Sequence, residues 1–139
     1  MTKFFIGILL SICSVGFSQN SNLTVNVTSL KNNTGVLTAE LYNSKGNFLK
    51  KAFKTESSDI KSNSASVTFS GIPKGEYTVL VYHDANKNGK LDKYLIGMPK
   101  ESVAVSNNAK GFMGPPKYEE AKFTVNSDSK INIKMSDAH

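Results

Sequence analysis

Five stretches of this chain alternate apolar and polar residues with period two, and this pattern limits its fold more than any other feature. Leu23, Val25 and Val27 alternate with Thr24, Asn26 and Thr28; Leu37, Ala39 and Leu41 repeat the pattern, followed by Ala65, Val67 and Phe69, then Ala121, Phe123 and Val125, and finally Ile131, Ile133 and Met135. Successive side chains of an extended segment point to opposite faces, so such alternation marks strands with one buried face. Tyr77 to Tyr82 differs, because Tyr77, Val79 and Val81 lie on one side and Leu80 and Tyr82 on the other. A segment apolar on both faces predicts a central strand. Buried stripes on strands need a facing layer, and the expectation is an all-β antiparallel β-sandwich.

Turn chemistry separates the stripes at Lys31 to Gly35, Asn43 to Asn47, Pro73 to Gly75 and Asn126 to Ser129. Phe48 to Phe53 fits either one helical turn or a short strand, and is read as an edge strand. No long helical pattern follows residue 18, which disfavours parallel folds with crossover helices. Gly97 to Tyr118 lacks clear alternation and carries Pro99, Pro115 and Pro116; it predicts a long ordered loop or irregular edge. Its apolar side chains, among them Phe112, Met113 and Tyr118, either close one end of the core or form the rim of a ligand pocket.

The N-terminus follows other rules. Lys3 precedes an apolar run from Phe4 to Val15, and Gly16 and Ser18 supply the small residues of a signal-peptidase site. Residues 1–18 read as a signal peptide cleaved after Ser18, and 19–139 as one domain, periplasmic or secreted. The twelve-residue run falls short of the roughly 20 residues that cross a bilayer as a helix, so no transmembrane anchor is expected in the mature chain. Cys13 lies inside the run, behind an Ile12 too bulky for a lipobox. Cleavage leaves no cysteine, and with it no disulfide or thiolate site. The formal charge is +6 and all of the positive charge is lysine. Without arginine, the preferred fork for phosphate and guanine, specific nucleic-acid recognition is not expected. Lys50, Lys51 and Lys54 cluster and read as a solvated surface.

The stretch HDANKNGKLD places Asp84, Asn86 and Asn88 at alternate positions, then Gly89, the Lys90 carbonyl and Asp92. Calcium loops have this form, because oxygen ligands at alternate positions converge when the chain curls and glycine permits the bend. The match ends where an EF-hand has its bidentate glutamate, since that position is Leu95. With two carboxylates among the proposed ligands, affinity is expected at about 10⁻⁴ to 10⁻³ M. A plain hairpin on Asn88-Gly89 is the alternative, and it sets Lys87 against Lys90. Both readings, Ca²⁺ or no cofactor, stay open.

Catalytic chemistry is sparse. The histidines are His83 and His139; His83 and Asp84 are adjacent and diverge on a strand, as do Glu119 and Glu120. An exported hydrolase using His83 with Asp84 or Glu101 is the least favoured reading, and no catalytic residue is assigned. Neither a nucleophile elbow, a P-loop nor a dinucleotide fingerprint occurs. The chain has no tryptophan for a sugar platform, and Tyr42, Tyr94 and Tyr118 read as core or edge residues.

SGIPKGEYTVLVYHDANKNGKLD, then IGMPKESVAVSNNAKGFMGPPKYEEAKFTV, resembles the bacterial exported family catalogued as domain of unknown function 2141. The resemblance runs from about Leu23 to Met135. It implies a sandwich of immunoglobulin-like or prealbumin-like character, and the family offers no catalytic residue to transfer. The expected function is therefore a non-catalytic binding or envelope-associated module with an envelope or extracellular ligand. The alternative is a small-molecule carrier with its pocket under 97–118. Oligomeric state is not legible.

Overall fold

A computed structural model describes residues 20–87, 102–111 and 114–135. Its strands are β1 (Ser21–Thr28), β2 (Val36–Tyr42), β3 (Lys54–Asp59), β4 (Ala65–Ile72), β5 (Gly75–Asp84), β6 (Val103–Val105), β7 (Phe123–Val125) and β8 (Ser129–Lys134), with a 3-10 turn at Ser106–Asn108 and a short helix α1 (Tyr118–Ala121). They form two sheets, β4-β1-β8 and β3-β2-β5-β6, with β7 also paired to β5. The fold is the all-β sandwich expected.

The alternating stripes meet between the sheets. Leu23, Val25, Val27, Val67, Phe69 and Ile133 from one sheet pack with Leu37, Ala39, Leu41, Tyr77, Val79 and Val81 from the other in a single buried cluster. Fully burying one such side chain contributes about 1.5–3 kcal/mol, so this layer carries most of the stability. One strand pair departs from the antiparallel rule: β1 runs parallel to β8, with Leu23 opposite Ser129 and Val27 opposite Ile133. The first and last strands enter the sheet from the same end of the sandwich.

β5 is the central strand predicted. β2 pairs along it from Tyr42 opposite Thr78 to Val36 opposite Asp84. Its other edge is covered in two pieces, β7 at Gly75 to Tyr77 and β6 at Leu80 to Tyr82. On the outer face, Tyr42, Leu80, Val105 and Ala121 form a second cluster with Phe48, Leu49, Ala52 and Val103 against it.

Two sequence expectations need correction. Phe48 to Phe53 is a compact turn, since the Lys50 and Lys51 amides both donate to the Asn47 carbonyl and Leu49 has φ 60°. The edge strand is the next segment, β3, whose KTESSD has no apolar stripe and draws its position from backbone pairing to β2. Ala121 belongs to α1, where the Lys122 amide donates to the Tyr118 carbonyl at 3.0 Å. Within 97–118 the described residues hold β6 and the 3-10 turn and form an irregular edge, one of the two forms expected for this stretch.

Candidate functional site

Asp84 ends β5 and is 1% exposed, whereas Ala85, Asn86 and Lys87 after it are exposed. The chain turns at once: the Lys87 amide donates to the Asp84 carbonyl at 3.4 Å, and Lys87 takes φ 56°. Residues 84–87 therefore form a turn directly after β5. They curl where a calcium loop would have its first two ligands, Asp84 and Asn86. Asn88, Lys90 and Asp92 lie outside the described residues, as do Glu101, Phe112 and Met113.

The β1–β2 connection supports this turn. His83 is 5% exposed, and its Nε2 donates to the Thr34 carbonyl at 2.5 Å while its amide donates to the Ser102 carbonyl at 3.0 Å. Because a carbonyl only accepts, the Nε2 nitrogen carries the ring proton in this contact. Gly35, at φ 75°, passes so close that a Cβ there would meet the Asp84 carbonyl at 2.2 Å and the Ala85 Cα at 2.6 Å. Any side chain at Gly35 would push the two connections apart, so its glycine is a positional requirement of the Asp84 turn.

Along β5 the interval between β7 and β6 is filled by side chains. The Val79 amide, without a strand partner on that edge, donates to Ser106 Oγ at 3.1 Å, and the same hydroxyl donates to the Ala121 carbonyl at 2.5 Å. Asn107 and Asn108 take left-handed φ of 60° and 50°, a region asparagine tolerates better than most residues. Asn107 Nδ2 donates to the carbonyls of Lys122 at 2.8 Å and Glu120 at 3.2 Å, and Asn108 Oδ1 accepts the Lys134 amide at 2.9 Å. Ser106, Asn107 and Asn108 thus tie β5, α1 and β8 together at the irregular edge. These three residues lie within the stretch that carries the family resemblance, but their role was not read from the sequence; three small polar residues directly after an apolar V-A-V were the available signal.

Tyr118 is 8% exposed, with its ring edge against Phe48 at 5.8 Å and its hydroxyl donating to Glu76 Oε1 at 2.5 Å. Burial, aided by the Glu76 carboxylate, pushes its pKa up to about 12. Tyr42 is raised as well, first by burial and then by its hydrogen bond to Glu40. Glu119 pairs with Lys122 at 2.8 Å and with Lys45 at 3.5 Å, and the Lys122 contact holds its carboxyl below the ordinary value. Thr78 Oγ1 is buried without a hydrogen-bond partner among the described residues. Also among the described residues, no three His, Cys, Asp or Glu side chains group as a metal site, and no helix is long and apolar enough to cross a membrane.

A family model described as an uncharacterized protein conserved in bacteria matches residues 25–134. No curated protein and no solved structure matches the chain.

Proposed function

The chain belongs to the bacterial family catalogued as domain of unknown function 2141, and from that premise we propose an exported, non-catalytic β-sandwich acting as a binding or envelope-associated module, with a calcium-stabilised loop where β5 ends. The buried carboxylate of Asp84 at the exit of a central strand, followed directly by the turn to Lys87, is the observation that carries the loop reading. A first ligand fixed by a strand loses little entropy on binding, and the Gly35 and His83 contacts hold the backbone on either side of it. Asn86 supplies the second oxygen, and Asn88, the Lys90 carbonyl and Asp92 complete the proposed set. The ion would join the chain leaving β5 into one rigid loop. The non-catalytic reading draws support from His83, whose ring bonds a backbone carbonyl, and from Glu119, which is engaged by two lysines.

Thermal unfolding tests the loop. An ion bound to the native state alone at ten times its Kd stabilises by about 1.4 kcal/mol, which raises the midpoint by about 5 °C for a domain of this size. Moving wild type from chelator into about 10 mM calcium is expected to give this rise, given the weak affinity anticipated. Asp84→Asn, close in shape but uncharged, is expected to lose it. A wild-type midpoint that ignores calcium removes the ion from the proposal.

A further inference from the structure

We propose that the end of the sandwich opposite the Asp84 turn is a contact surface for an anionic phospholipid membrane, with Phe53 as its apolar point and Lys50, Lys51, Lys54 and Lys74 as its headgroup contacts. The inference rests on the reading of the domain as an envelope protein.

Strand direction assembles this surface. β1, β3, β5 and β8 begin at one end and β2 and β4 finish there, so the 43–53 connection, the Pro73-Lys74 turn and Asn20 lie at the same end. Lys50, Lys51 and Lys74 are exposed, and among the described residues none of the four lysines is within ion-pair distance of a carboxylate. By contrast, Lys45 and Lys122 are both paired with Glu119. Lys54 places its ammonium 3.0 Å from the Ser70 carbonyl and 5.9 Å from the centre of the Phe53 ring.

Phe53 is 41% exposed and is the large hydrophobic side chain left open among the described residues. Its amide donates to the Leu41 carbonyl at 2.7 Å and its ring lies 6.5 Å from that of Tyr77, so a rigid strand entry presents it. An exposed phenyl beside lysines that have no carboxylate partner among the described residues suits the boundary between headgroups and acyl chains, where the ring is buried and each ammonium is attracted by anionic lipid. A soluble polyanion would use the lysines but leave the ring in water. The apolar run from Phe4 to Val15 precedes Asn20, which joins the domain at this same end. While that run is inserted in a membrane, the lysine end is the one nearest to it.

The chain has no tryptophan, so Phe53→Trp places a single fluorescent reporter at the proposed contact. The full chain carrying it is mixed with vesicles of phosphatidylcholine, either alone or with about 30% phosphatidylglycerol. Emission is expected to move to shorter wavelength on the anionic vesicles and to stay in place on the neutral ones. Lys3 and the N-terminal amine also favour anionic lipid but are the same in every variant, so the position that shifts decides, not binding alone. Adding Lys50→Glu and Lys51→Glu is expected to weaken binding roughly tenfold or more, since each lysine near an anionic surface is worth about a fivefold change in partitioning. Lys61→Trp, at the opposite end, is expected to keep its emission unchanged. No shift at position 53, an equal shift on neutral vesicles, or an equal shift at position 61 would each overturn the proposal. Finding the protein with its leader intact in the cytoplasmic fraction would count against export and leave the vesicle result standing.

Discussion

Against its inner face the five-stranded sheet packs Leu37, Ala39, Leu41, Tyr77, Val79 and Val81 on the stripes of the other sheet, whereas its outer face holds Tyr42, Leu80 and Val105 beneath α1 and the 43–53 turn. The inner layer is mostly apolar and, apart from the Tyr77 hydroxyl that donates to the Pro73 carbonyl at 2.5 Å, little within it depends on direction. The outer layer is held by oriented bonds: Ser106 to Val79 and Ala121, Asn107 to Glu120 and Lys122, and Tyr118 to Glu76. A hydrophobic layer tolerates imprecise matching, but a half-polar layer needs each buried donor answered, because an unanswered one costs about 1–3 kcal/mol. Among the described residues, the buried Thr78 hydroxyl of this layer has no partner.

Substitutions on the two faces separate these modes of support. Phe69→Ala empties a fully buried site of the inner layer and is expected to lower the urea unfolding free energy by about 3–5 kcal/mol. A loss below about 1.5 kcal/mol would mean the two sheets are not the main support of the fold. Ser106→Ala removes little volume but strands the Val79 amide and the Ala121 carbonyl; about 2 kcal/mol is expected, with faster hydrogen exchange at Val79. Unchanged exchange at Val79 would show that the serine does not bridge the interval between β7 and β6. Thr78→Val goes the other way. Exchanging an unanswered hydroxyl for a methyl is expected to raise stability by about 1 kcal/mol, and a decrease in the melting midpoint would reveal a partner for that oxygen.

The inner layer was legible because its rule is local. Val25, Val67 and Val79 each sit in an alternating or doubly apolar run, and burial follows from residue type and parity. β3 escaped because KTESSD carries no apolar stripe; its position depends on hydrogen bonds to β2, which puts Glu56 opposite Ala39. Phe48 and Leu49 misled because their apolar side chains cover the outside of a sheet from a turn, and composition alone does not tell a covering turn from a strand. At the candidate loop, the spacing of Asp84 and Asn86 was visible in the chain, but the burial of Asp84 and the approach of Gly35 were not.

Period-two stripes specify how many buried faces this chain must hide, since each follows from the order of neighbouring residues, and that is enough to require two stacked sheets. Parity says nothing about which strands become neighbours. The parallel pairing of β1 with β8, the meeting of Gly35 with the exit of β5, and the placing of Lys74 at the same end as Phe53 all join residues distant in sequence. Those distances close only when the sheets pack and each backbone group finds its partner.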